Sequence, residues 1–232
     1  MLQADPVVPR FYRKYVENSP KIFYTLKCIR TVKSWHEKRG EEVSGQIIYM
    51  DAGKDNFPFI KEYLVKEIGY EPSEVQLITG GMSGDKKEKI KEQFLEGTVK
   101  IIIGTSTIKE GIDLQNKTTV LYNLWLDWRP TDIKQLEGRA WRFGNEFANI
   151  RIVTPLLENS VDPFMFQKLE EKTARINDIF DRHGHKNVMD IDEFNPAELK
   201  TGLISDPEKR AKEEIRQESK LHDVELRKLE AK

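Results

Sequence analysis

Apolar positions along this chain recur at two different periods, and the switches between them mark an alternation of helices and strands. From Phe11 to Arg39, Tyr12, Tyr15, Ile22, Phe23, Leu26, Ile29, Val32 and Trp35 fall three and four apart among lysines and arginines, which predicts one or two amphipathic helices. After Gly40 the texture changes. Gln46 to Met50 is a short apolar run emptying into Asp51-Ala52-Gly53, the pattern of a buried strand ending in a turn. Phe57 to Ile68 reads as helix, Val75 to Thr79 as strand, and Gly80-Gly81 as a turn; Ser83 then caps a helix that Gly97 stops. Val99 to Ile103 is the most apolar strand and runs directly into Gly104-Thr105-Ser106. Strands over Thr119–Asn123 and Ile150–Thr154 flank a helix from Thr131 to Trp141. This alternation predicts an α/β fold, a parallel sheet with helices on both faces. It divides the chain into an N-terminal helical segment (1–44), a sheet core (45–157) and a C-terminal helical extension (158–232). In the last of these, Asp162 to Phe180 has helical periodicity, and Asp206 to Lys232 is a charge-dense stretch suited to a solvated helix or to a helix that binds a partner.

Composition narrows the function classes. Charged residues make up 33% of the 232 positions, above the roughly 25% of an ordinary domain, yet the net charge is only -1. No global basic field points to nucleic acid, so such binding would need a local surface. A single cysteine, Cys28, excludes an intramolecular disulfide framework and any cysteine-rich zinc site, and fits packing better than catalysis. The first ten residues lack a signal-peptide pattern and no window approaches a membrane span, so a cytoplasmic protein with no membrane partner is expected. His183-Gly184-His185 reads as surface loop, and no metal site is expected.

In parallel sheets, ligands bind beyond the carboxyl ends of the strands, so those loops are where chemistry is sought. The loop Gly104 to Gln115 places Thr105, Ser106, Thr107 and two glycines at the mouth of the sheet. Such a loop suits phosphate or sugar oxygens, and serves equally as a tight turn. Within Gln135-Leu136-Glu137-Gly138-Arg139-Ala140-Trp141-Arg142-Phe143-Gly144-Asn145, two arginines three apart sit on a helix expected to end at Gly144 and to present both on one face. Paired guanidinium forks match phosphate oxygens, with a structural ion pair as the alternative. Trp125 to Pro130 is an aromatic loop, either packing or a stacking surface.

As an ordered set these segments resemble the C-terminal, second RecA-like lobe of superfamily 2 helicases and translocases. Gly104 to Gln115 is similar to motif V; Gln135 to Asn145 resembles motif VI, with its Gln-x3-Arg-x2-Arg-x-Gly spacing complete. Trp128-x-Pro130-x4-Gln135 looks like the form found in the Snf2-like branch, whereas Asn145 stands where that branch has glutamine, and Glu110 and Asp113 depart from its motif V. Gly45–Asp51 and Thr79–Phe94 sit where motif IV and its following element belong.

The resemblance implies that Arg139 and Arg142 are arginine fingers, supported by Gln135, acting on ATP held mainly, with its Mg²⁺, by an N-terminal motor lobe of the same parent protein. It implies that Gly111 and Asp113 face the nucleotide ribose. It also implies that Thr105, Ser106, Gly80, Gly81 and Lys54 contact the backbone of a nucleic acid, double-stranded DNA being preferred. A phosphate loop of the form Gly-x4-Gly-Lys-Ser/Thr does not occur; Gly53-Lys54 is followed by Asp55. The chain is therefore expected to supply fingers and a strand-binding surface but no primary ATP site, and to be inactive alone. The alternative is a non-catalytic binding module on the same scaffold. An unrelated α/β enzyme would need a nucleophile or base in these loops, and His36, His183, His185 and His222 all fall outside the core range.

Overall fold

A computed structural model describes residues 11–109 and 112–180, together with residues 211, 212, 215, 216 and 219. The expected tail over 206–232 and His183, His185 and His222 thus lie largely or wholly outside the described residues. Contacts divide the chain into two units, Met1–Pro155 and Leu156–Lys232.

The first unit opens with helices α1 (Tyr12–Glu17) and α2 (Pro20–Arg39). The single amphipathic stretch breaks at Ser19 because Pro20 is tolerated only in the first turn of a helix. Strand β1 (Gly45–Tyr49) follows, then α3 (Phe57–Tyr63), which continues as a π-helical turn over Leu64–Ile68 and stops at Gly69 with φ of 81°. After these come β2 (Val75–Ile78), α4 (Gly84–Glu96), β3 (Ile101–Gly104), β4 (Thr118–Asn123), α5 (Pro130–Ala140) and β5 (Arg151–Val153). The five strands form one parallel sheet in the order β2-β3-β1-β4-β5.

β1 lies at the centre and is buried along its whole length, so alternate residues must satisfy two different cores. Ile48, with Ile101, Ile103, Val120 and Tyr122, packs beneath α1 to α3 against Val16, Leu26, Ile29, Phe57 and Ile60. Ile47 and Tyr49, with Ile102 and Leu121, pack on the opposite face against Ile90 and Phe94 of α4 and Leu136 and Ala140 of α5. The N-terminal helices therefore cover one face of the sheet. The one fully buried amide on β1, Gln46, accepts from the Tyr122 hydroxyl at 2.8 Å and donates to the Tyr70 hydroxyl at 3.4 Å. Burial raises the pKa of both phenols, which keeps them protonated in this network.

In the second unit, helix α6 (Asp162–Phe180) begins where Asp162 accepts a hydrogen bond from the Leu157 amide at 2.9 Å. Among the described residues, no helix is long and apolar enough to cross a membrane.

Gly104 ends β3 where a Cβ would sit 3.0 Å from the Ile78 carbonyl oxygen and press into the Ile108 side chain. Gly104→Ala is expected to destabilise the chain by about 1–3 kcal/mol, seen in urea unfolding as a lower midpoint with an unchanged slope.

Candidate functional site

The loops after β1, β3 and β4 and the end of α5 meet at the carboxyl edge of the sheet. Pro130 opens α5, and the helix ends at Ala140, four residues before the expected stop at Gly144. Trp141 leaves helical geometry at φ -99°, ψ 88°, and Gly144 turns the chain at φ 96°. The cause is tertiary: the Asn145 side-chain amide donates to the Thr118 carbonyl at 2.9 Å and to the Ala140 carbonyl at 3.4 Å, tying the helix terminus to the start of β4. Arg139 and Arg142 therefore do not share a helix face. They converge because the chain turns between them, and both donate to the same oxygen, Asp113 Oδ1, Arg139 at 3.0 Å.

The two arginines differ. Arg139 also donates its Nε–H to the Lys109 carbonyl at 3.0 Å, and its side chain is 27% exposed, against 51% for Arg142. Arg139 is a strut between α5 and the Lys109–Asp113 loop, and Arg142 is the outer, more accessible fork. Trp141 and Phe143 on either side of Arg142 are 73% and 100% exposed. Two guanidinium groups against one carboxylate leave an excess positive charge. Burial pushes the Asp113 carboxyl upward, but the hydrogen bond from Arg139 and the charges of Arg142 and Arg139 outweigh it, so its pKa lies below the ordinary value.

The other predicted positions are placed as follows. Gln135 is exposed one turn before Arg139 on α5. Thr105 is buried, its hydroxyl 3.4 Å from that of Thr107. Ser106, half-buried, donates its backbone N–H to Asp51 Oδ1 at 2.7 Å. Gly80 and Gly81 are exposed in the turn after β2, outside the left-handed region, and a Cβ at either would meet no atom closer than Thr107 Oγ1 at 3.7 Å. Neither backbone conformation nor crowding requires glycine there. Lys54 is exposed on the turn Lys54–Asn56 that follows Gly53, whose φ is 74°. Gly111 lies outside the described residues.

Three residues that were not candidates from the sequence, Lys109, Asp127 and Tyr49, complete this edge. Asp127 Oδ2 accepts from Lys109 Nζ at 2.9 Å and from the Tyr49 hydroxyl at 3.0 Å. Burial, and then the Asp127 charge, raise the Tyr49 pKa, so the phenol remains a donor. The local signal was a lysine beside Glu110 in the loop after β3 and an aspartate between two tryptophans.

Residues 27–144, over half of the chain, match the helicase conserved C-terminal domain. The chain belongs to this family. A relative of this helicase domain, defense against restriction protein B of Escherichia phage P1, is 36% identical over 92 residues, covering 40% of this chain and 4% of that protein. A probable ATP-dependent helicase of Methanocaldococcus jannaschii is 26% identical over 119 residues, covering 47% of this chain and 15% of that protein. The helicase domain thus spans a small fraction of the curated relatives it matches. The crystal structure of the C-terminal part of the Fun30 ATPase domain shares the fold, with a TM-score of 0.53 at 18% identity over 64% of this chain and 44% of that one. The sheet is RecA-like, and the lobe is the second of a superfamily 2 helicase-like protein.

A depressed carboxyl contributes stability at pH values above its unfolded pKa, about 3.9, and loses it as pH falls through the lower folded value. In a ¹³C NMR titration of side-chain carboxyls, Asp113 is expected to titrate below the ordinary aspartate range, and Arg142→Ala to move it upward.

Proposed function

We propose that this chain is the second motor lobe of an ATP-dependent helicase or DNA translocase, acting on ATP held by a facing first lobe. The observation that carries this is the convergence of Arg139 and Arg142 at the strand ends with one carboxylate between them. The fork of Arg142 is half exposed and incompletely neutralised, the condition of a group that waits for an anion from outside. The archaeal relative's name, a probable ATP-dependent helicase, agrees with this.

The residues present fit the terminal phosphate of a nucleotide and not the whole of it, since the chain has guanidinium forks but no phosphate-cradling loop. ATP would bring a phosphoanhydride whose cleavage drives the motor, with Mg²⁺ held mainly by the facing lobe. Arg142 would meet the terminal phosphate, and Arg139 would hold the Asp113 loop in place beside it. Gln135 borders the pair one helical turn back, and Gly111 and Asp113 would face the ribose. Across the same edge, Ser106, the Gly80-Gly81 turn and Lys54 would contact the phosphate backbone of one nucleic-acid strand, without regard to base sequence, with the buried Thr105 supporting the loop behind Ser106. Glycines that no local geometry demands leave their amides open to such an approach. Duplex DNA is the preferred substrate on the Trp128-x-Pro130-x4-Gln135 pattern.

Purified alone, the chain is expected to show no ATP turnover with or without duplex DNA. In the assembled two-lobe ATPase, Arg142→Ala is expected to lower kcat by about 10³-fold or more. Turnover by the isolated chain that disappears in Arg139→Ala would sink the half-motor assignment. An unchanged kcat in Arg142→Ala would instead indicate a non-catalytic binding module on this scaffold.

A further inference from the structure

We infer that Lys109 and Asp127 are a positioning pair for the arginine fingers, fixing the carbonyl that holds Arg139. The inference rests on the motor-lobe assignment above and adds to it two residues outside motif VI.

The pair sits within the edge, not on its surface: the side chains of Lys109 and Asp127 are 10% and 13% exposed. Removing two ions from water is costly, and an apolar pair of the same volume would hold the loops together as well or better. What an ion pair adds is a defined geometry. Here the geometry is anchored, because the same Asp127 oxygen accepts from Tyr49, which is fully buried on the central strand β1. Lys109 also lies over the Tyr49 ring, its Nζ 5.4 Å from the centroid. The ammonium is thus held from two directions, by a carboxylate and by an aromatic face.

The link to the fingers is the backbone of the same residue. Lys109 donates through Nζ to Asp127 and accepts through its carbonyl from Arg139 Nε. Arg139 in turn donates to Asp113, which also receives Arg142. An unbroken series of hydrogen bonds therefore runs from β1 through Tyr49, Asp127, Lys109, Arg139 and Asp113 to Arg142. Neutralising Asp127 leaves a buried ammonium without its counter-charge, and the loop that carries the Lys109 carbonyl loses its side-chain anchor to β1 through Asp127 and Tyr49. The guanidinium of Arg139 then loses one of its two holds, and the effect reaches Arg142 through Asp113.

The test uses Asp127→Asn and Lys109→Met in the full chain, with Lys109→Arg as the charge-conserving variant and thermal unfolding as a control for folding. In ¹⁵N-arginine-labelled protein, Arg139 Nε–H exchange with solvent should quicken about tenfold in the first two and recover in Lys109→Arg. In the assembled ATPase the same two variants should lower kcat about 10- to 100-fold at unchanged KM. Unaltered Arg139 exchange in both folded variants overturns the inference. So does wild-type turnover in both where Arg142→Ala abolishes it, in which case the motor-lobe assignment stands. If Arg142→Ala turns over normally, the motor-lobe assignment fails, and the inference, which rests on it, falls as well.

Discussion

Two like charges are brought together at this edge only because a third, opposite charge stands between them. The Asp113 carboxylate lets Arg139 and Arg142 approach each other, and in doing so joins the end of α5 to the loop after β3. Replace it with a neutral group and the guanidiniums repel, the helix terminus and the loop lose their shared fastening, and the outer fork has no fixed direction. A single oxygen accepting from two forks leaves donors on both arginines unspent. The site is held together and still short of negative charge, which is the electrostatic state required of a surface built to receive an anion.

The sheet divides labour along its length. At the amino ends of the strands, polar groups satisfy one another: Lys100 and Lys117 share Glu42, and Ser44 pairs with Thr119. At the carboxyl ends, charged side chains are pinned from beneath and open above. Both arrangements depend on β1, whose five buried residues fix the two layers of helices and leave the loops as the part of the lobe free to vary.

Most of the architecture was legible because burial imposes strict periodicity. Strand positions came within about two residues of those observed, and the Gly97 stop carries the positive φ that favours glycine. The end of α5 expected at Trp141 from the pattern lies one residue past the observed Ala140, whereas the stop expected at Gly144 lies four past it, since the group that caps the helix, Asn145, acts by reaching Thr118 on another strand. Local sequence contains no record of that distance. The arginines could be named as candidates from spacing and Asp113 from the family resemblance, but their meeting on one oxygen could not, because it needs the chain to leave the helix at Trp141, between the two arginines. Lys109 and Asp127 were illegible for the same reason: the pairing joins two loops that only the parallel sheet brings side by side. His36, assigned to a segment outside the core range, is 3% exposed, with Phe147 6.3 Å away and Trp35 edge-on at 4.8 Å.

The exposure of Trp141 and Phe143 has a kinetic side. If a facing lobe receives Arg142 as proposed, these two rings would lie at the rim of that contact. Charge acts over about 8–10 Å in physiological salt, whereas apolar contact acts only on touching. Under that proposal, approach would be governed first by the positive excess around Asp113, and departure by the rewetting of the two aromatic rings. Encounter and residence would then answer to different residues.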